Sequence, residues 1–490
     1  MSAVQRSIVF SAVERYASVS LFVVTTAIIS RLLTPAEFGT FAVVNALTTV
    51  VSVSFQEFGG ANYLIQKQEL SRRHIRTAFT IIFAISIMIG ALFFVLSGVL
   101  SRFMGQDSLA NGLSVAALSF LFVPFSGTIA ALFRRDLTFG KLAICNLVAN
   151  VAGAIVSILL AMLNFSYMAP IWGGLANCVT LTVILLAWHR DFGLFRPSLA
   201  DYRDIVGFGV YSSGVSLINV FYNLAPQLFL AKLLDFAAVG LYSRAISLTQ
   251  IFDRLVIQVL SPVIMPAVAA QRKSGADLKR VYLEAIQLLS VTQWPCLTFI
   301  AIMAHPIIEI WLGANWLEIV PLVRILCAAN LAMFAACLSY PVLVAAGHVR
   351  DALVSSLISL PPSLCLLFAA AFFNVHAVAA AALLTLPFQA VVTIYFIRKR
   401  LGIDGGQIID ALQKSAIVTV STALGAACCA VLIEVGAVKP IVGLVAGSSC
   451  VALCWWLGLV LTRHPMLNHL YHALSGVVDI VRPRFRRPLL

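Results

Sequence analysis

A run of about 20 predominantly apolar residues is long enough to cross the hydrocarbon core of a bilayer as a helix. This chain contains fourteen such runs. They cover roughly residues 8–31, 38–60, 77–100, 109–132, 142–164, 168–188, 205–231, 237–268, 281–304, 319–345, 352–373, 375–397, 412–434 and 440–461. The expectation is an all-α membrane protein with 14 transmembrane helices. Composition agrees: 61% of the 490 residues are hydrophobic and 11% charged, against roughly 25% charged in a soluble domain. The run at 237–268 holds Pro262 and Pro266 and should kink near its end. The first run is too long for a cleavable signal, carries Glu14 and Arg15, and lacks a small-residue cleavage site. It is read as a helix of the mature chain.

The net charge of +13 is distributed by side rather than in one patch. With a cytoplasmic N-terminus, 25 of the 33 Lys and Arg fall in cytoplasmic segments, 4 in the opposite loops (Arg31, Arg102, Lys232, Lys439) and 4 within spans. That is the positive-inside rule. It predicts both termini in the cytoplasm and argues against nucleic acid as a partner. Attraction to anionic lipid headgroups is a secondary reading. Trp172, Trp311 and Trp316 fall at predicted outer boundaries and Trp188 at an inner one, as interfacial anchors would. The tail 464–490 reads as interfacial and basic, with His464, His469 and His472 solvated or at headgroups. All ten cysteines lie in predicted spans and read as small hydrophobes rather than metal ligands. No metal or cofactor is expected. No Walker A pattern is present, so the chain carries no ATPase of its own.

Two turns match at a shift of 201 residues. "RLLTPAEFG" ends at Gly39 and "KLLDFAAVG" at Gly240; Arg31 lands on Lys232, Leu32 on Leu233, Leu33 on Leu234, Ala36 on Ala237 and Phe41 on Tyr242. A weaker echo joins "FRRDL" after span 4 to "HVRDA" after span 10. Six spans separate the copies, so both point the same way across the membrane. That is a parallel repeat, of the kind that builds transporters from two bundles around a central pathway. The predicted domains are an N-lobe at 1–200 (spans 1–6), a C-lobe at 201–400 (spans 7–12), two extra spans at 401–462, and a basic tail at 463–490.

Polar side chains facing lipid are costly, so polar stripes mark a wet cavity or a packed partner. Span 7 carries Ser212, Ser216, Asn219, Asn223 and Gln227 in steps of three and four, which keeps them on one face. Pro226 interrupts that face. Span 1 carries Ser7, Ser11, Glu14, Ser18 and Thr25, with Arg15 beside the stripe; at the same shift Arg15 overlays Ser216 and Ser18 overlays Asn219. Span 2 offers Asn45, Thr49, Ser52 and Gln56, with Glu57 adjacent, and span 8 offers Arg244, Ser247, Arg254, Gln258 and Ser261. Asp253 points away from the span 8 stripe and is read as pairing inside a lobe, with Arg324 as its candidate partner. Isolated Ser and Thr cement helix packing. That account fails for Arg15, Arg244 and Arg254, because guanidinium cannot shed its charge. Cationic walls imply an anionic or phosphate-bearing ligand, since Arg binds phosphate oxygens bidentately.

The segments "ISRLLTPAEFGTFAV", "ALFRRDLTFGK", "FLAKLLDFAAVGLYSRAISL", "LSPVIMPAVAAQRK", "GANWLEIVPLVRILC" and "VLVAAGHVRDALV", in this order and spacing, resemble polysaccharide flippases of the multidrug/oligosaccharidyl-lipid/polysaccharide exporter superfamily. The nearest branch is the Wzx type that exports colanic-acid-like, teichuronic-acid-like and succinoglycan-like repeat units. The resemblance runs from about residue 5 to about 400. It implies two six-helix lobes around a central cavity walled by spans 1, 2, 7 and 8. It implies a substrate of undecaprenyl-pyrophosphate-linked oligosaccharide moved across the cytoplasmic (inner) membrane for exopolysaccharide biosynthesis, with polymerase and export machinery as possible partners. It carries Arg15, Asn45, Glu57, Asn219, Asn223 and Arg244 to the cavity; Glu14, Gln227, Arg254 and Gln258 join them from the stripes. Many relatives place an acid where this chain has Gln227, which departs from any shared ion-coupling site. Spans 13 and 14 resemble the pair that helps hold the lipid tail in lipid II flippases.

Two other classes fit less well. A drug exporter of the same superfamily should have acids in its cavity. A membrane-embedded polymerase or ligase should have a large outer loop, whereas the longest here, near 304–319, holds only His305, Glu309 and Glu318. Catalysis is not expected.

Overall fold

The computed structural model describes residues 3–58, 61–67, 69–136, 138–200, 202–258, 277–345 and 348–471. Every regular element among them is helical. In chain order these are α1 (Ala3–Leu32), α2 (Pro35–Phe58), α3 (Ala61–Gln66), α4 (Arg72–Met104), α5 (Ser108–Leu118), α6 (Val123–Arg135), α7 (Phe139–Met162), α8 (Met168–Trp188), α9 (Tyr202–Leu233) and α10 (Phe236–Thr249), followed by a π-helical turn at Asp253–Ile257. Then come α11 (Leu278–Ile302), α12 (Ala304–Trp311), α13 (Val320–Asn330), α14 (Ala336–Ala345), α15 (Val349–Ala371), α16 (Val375–Leu401), α17 (Gly405–Glu434) and α18 (Pro440–Leu461).

Among the described residues, ten helical stretches are long and apolar enough to cross a membrane, or eleven when a pair bent by 46° (Ser108–Leu121 with Val123–Arg135) counts as one span. The sequence reading gave fourteen. The helices expected as spans 2, 7 and 8 do form, as α2, α9 and α10, but are not among the ten. Of these, α10 is 14 residues long and gives way to the π-helical turn, short of a full crossing on its own. The expected kink at Pro262 and Pro266 lies outside the described residues.

The chain packs as two compact units. The first holds Met1–Val259, Trp311–Leu322 and Leu360–Ala381. Within it, the two repeated turns start α2 and α10. Thr34 and Glu37 form a capping box: the Thr34 N–H donates to Glu37 Oε2 (2.7 Å) and the Glu37 N–H to Thr34 Oγ1 (3.4 Å), with Pro35 at the first helical position. At the equivalent position Asp235 caps α10, its Oδ1 accepting from the Ala238 N–H at 2.7 Å. Each helix then reaches its glycine, and the glycines meet. A Cβ on Gly39 would stand 1.6 Å from the carbonyl oxygen of Phe236; one on Gly240 would stand 2.0 Å from that of Pro35. Since Phe236 and Pro35 are themselves related by the 201-residue shift, the crossing is symmetric. Helices α7 and α8 pack just as closely: a Cβ on Gly153 would lie 2.8 Å from the Gly173 carbonyl oxygen, and one on Gly173 would lie 1.7 Å from Ser157 Oγ.

The second unit holds Leu260–Ile310, Val323–Ser359 and Ala382–Leu490. Its α11, α17 and α18 pack through Val291, Val418 and Leu459. The Trp455 indole N–H donates to the Val291 carbonyl at 2.7 Å, and Ser290 Oγ–H to Ser415 Oγ at 2.9 Å. Arg324 spends its Nε–H on the carbonyl of Ala301. His464 is 1% exposed rather than solvated. Its Nδ1 accepts from the Met466 N–H at 3.1 Å, so Nε2 carries the proton toward Ser415 Oγ at 3.4 Å. The sequence put it in a headgroup-facing tail; the Met466 N–H and the Ser415 hydroxyl instead satisfy both ring nitrogens in the interior.

Candidate binding cavity

Within the first unit α1, α2, α7, α8, α9 and α10 enclose a cavity of about 580 Å³. Helical spacing explains why these helices line it. Ser18, Phe22 and Thr25 recur on one face of α1; Phe38, Phe41 and Asn45 on α2; Asn150, Gly153 and Ser157 on α7; Gly173, Gly174 and Asn177 on α8. Gln227 of α9 and Ser243, Arg244, Ser247, Gln250 and Arg254 complete the wall. No acidic side chain is among these lining residues.

Arg244 is 4% exposed. Its guanidinium carbon lies 3.6 Å from the ring centre of Phe38 and 5.5 Å from that of Trp316. Trp316 is fully buried and its indole N–H donates to the Ser30 carbonyl at 2.7 Å. This corrects the expectation of an interfacial anchor: the indole N–H is spent inside the bundle, where the ring serves the arginine. Arg244 Nε, Thr25 Oγ1 and Ser243 Oγ are buried and have no hydrogen-bond partner among the described residues. Arg254 sits over Phe22, its guanidinium carbon 4.0 Å from the ring centre. Arg15, off the lining itself, is near enough to Arg254 for the two charges to repel. Its Nε is also buried without a partner among the described residues.

A row of neutral polar groups runs the other way. Asn177 Nδ2–H donates to Asn150 Oδ1 (2.9 Å), Asn150 Nδ2–H to Ser18 Oγ (3.1 Å), and Ser18 Oγ–H to Glu14 Oε1 (3.3 Å).

Of the ten residues the sequence singles out, Asn45, Gln227, Arg244 and Arg254 line the cavity. Glu14 and Arg15 reach it through Ser18 and Arg254. Asn223 and Gln258 are exposed and not among the lining residues. Side-chain placement for Glu57 and Asn219 lies outside what is described. Sequence reasoning passed over Asn150, Asn177, Gln250 and the rings of Phe38, Phe22 and Trp316. The amides were detectable: Asn150 and Ser157 lie seven residues apart on one face, and Gly173 and Asn177 four apart, the helical spacing read in spans 1 and 7.

The fold is that of helical membrane transporters. The lipid II flippase MurJ in its inward closed conformation superimposes with a TM-score of 0.72 over 92% of this chain and 99% of that one, at 10% identity. An inward-facing multidrug resistance MATE family transporter gives 0.63 over 80% of this chain and 98% of its own, at 13% identity. Within that class, the chain belongs to the polysaccharide biosynthesis protein family, whose sequence profile matches residues 28–321. It is 22% identical over 326 residues to the lipopolysaccharide biosynthesis protein WzxC of Escherichia coli strain K12, covering 66% of each chain. It is 23% identical over 331 residues to the succinoglycan biosynthesis transport protein ExoT of Rhizobium meliloti strain 1021, covering 66% of this chain and 65% of ExoT. The chain thus spans about two thirds of the length of these relatives.

Proposed function

We propose that this chain is a flippase that moves undecaprenyl-pyrophosphate-linked oligosaccharide repeat units across the cytoplasmic (inner) membrane by alternating access, for surface polysaccharide biosynthesis. Both termini face the cytoplasm. An N-lobe at 1–200 and a C-lobe at 201–400 rock about the central pathway, residues 401–462 flank it, and 463–490 form a basic tail. Membrane lipids surround it, and a polymerase and export machinery receive its product. It performs no covalent chemistry.

The observation that carries this reading is Arg244: a guanidinium buried in a cavity with no acidic side chain among its described lining residues, held by two aromatic faces, with Nε unpartnered among the described residues. Burying a charge without a counter-charge is costly. A phosphate-bearing ligand offsets that cost through charge-assisted hydrogen bonds. Arg254 and Arg15 extend the positive wall toward a second phosphate. The transport and polysaccharide names of the relatives support the same ligand class. The cationic lining disfavours a drug exporter built for cations. In cells, Arg244→Gln with Arg254→Gln should abolish surface polysaccharide while protein abundance in the membrane holds, and lipid-linked oligosaccharide should accumulate. Undiminished export by that double variant would refute the assignment.

A further inference from the structure

The arginines account for one wall of the cavity. The α7–α8 wall bears no charge: it presents Asn150, Asn177 and Ser157 among Gly153, Gly173 and Gly174. Its hydrogen-bond row has a direction. Glu14 stands at the end and a carboxylate only accepts, so each donor in the row points toward it. Among the described residues, each amide keeps one N–H and Asn177 keeps its carbonyl oxygen. An amide that offers a donor beside an acceptor matches a hydroxyl group, which also does both. A phosphate oxygen, which only accepts, would use the donor and leave the carbonyl oxygen unpaired. Phe41 lines the same cavity and offers an apolar surface. Gly174 leaves its stretch of helix bare: a Cβ there meets nothing within 4 Å.

We infer that Asn177 and Asn150 form a hydroxyl-reading subsite for the sugar portion of the lipid-linked substrate, distinct from the arginines that take its phosphates. Ser18 and Glu14 are positioning residues that set the direction of the amides. This rests on the flippase reading above and adds to it a division of labour between walls.

The test uses the full-length protein in lipid nanodiscs and two probes: undecaprenyl pyrophosphate alone, and the lipid-linked oligosaccharide extracted from cells lacking this chain. Wild type should bind the sugar-bearing lipid more tightly than the bare one. Asn150→Ala with Asn177→Ala should weaken binding of the sugar-bearing lipid about tenfold or more and change the bare lipid less than about twofold. Glu14→Gln can reverse the row, since its amide also donates, and should lose the same preference; Glu14→Asp should retain it. Gly174→Leu fills the cavity from a position with open space around it, so it tests the subsite even if the asparagine variant folds poorly, and it too should lose the sugar-bearing lipid selectively. Equal losses for both probes, or unchanged preference in Asn177 and Gly174 variants, would overturn the subsite. A wild type that binds both probes equally would overturn the subsite and leave the flippase reading standing. A wild type that binds neither would overturn the flippase reading itself.

Discussion

Arg244 holds a permanent charge at 4% exposure. A cation over an aromatic face recovers about 2 kcal/mol when desolvated, and Arg244 has two faces, Phe38 and Trp316. Lysine cannot reproduce that stacking, because its ammonium is compact and strongly hydrated. Arg244→Lys should therefore transport poorly although it conserves charge, and the initial rate in vesicles, compared with wild type at equal protein, checks this. The sequence exposed this residue because an arginine inside an apolar run has few explanations. It hid the rings, since Phe38 and Trp316 read as ordinary apolar and interfacial residues until packing brought them together. At the other end of the chain, burial and then the charge of Lys414 push His464 down to about 4, against an ordinary value near 6.5. The folded protein thus binds the neutral ring. Its stabilisation is complete above about pH 6.5, declines as pH falls below that, and is exhausted near pH 4. Melting temperature should drop by several degrees between pH 7 and pH 4.5, and the drop should be smaller in His464→Asn.

At the scale of elements, the crossing of α2 and α10 depends on two glycines that touch opposing backbone. Adding a methyl group to either forces the helices apart, and overpacking of this kind costs about 1–3 kcal/mol or more. Gly39→Ala and Gly240→Ala should each lower the melting temperature, and the same change at Gly174, which faces open space, should not. The repeat itself was legible in its matched leucines and closing glycines, because turn chemistry is local, while the paired caps Thr34 and Asp235 emerged only with the structure. That the glycines of the two copies meet each other was not legible, since no pattern in one turn records its long-range neighbour. Glu37 carries a similar local lesson. Burial raises its carboxyl, yet hydrogen bonds from Ser166 and from the Thr34 N–H and hydroxyl outweigh burial and hold it below the usual range. Its contribution to the α2 start is present above the ordinary carboxylate value and is lost as pH falls through the depressed one. Glu37→Gln should flatten the acid limb of the melting profile.

For the whole molecule, hydropathy and helical spacing were enough to give an all-helical membrane protein, because span length and polar stripes are written in consecutive residues. The helices expected as spans 2, 7 and 8 form as α2, α9 and α10, and ten or eleven apolar crossings are counted among the described residues. The cavity was half legible: its arginines stand out in spans 1 and 8, while the α7–α8 amides were passed over although their spacing was the same. The central claim is that this cavity carries a phosphate-linked saccharide from one side of the bilayer to the other. Its most direct test is reconstitution of the purified chain into vesicles loaded on one leaflet with lipid-linked oligosaccharide, followed by a lectin or glycosidase that reaches only the other leaflet. The account predicts that the saccharide becomes accessible with wild type and stays inaccessible with folded Arg244→Gln. Vesicles in which wild type moves none of it, or in which Arg244→Gln moves it as fast, would contradict the account.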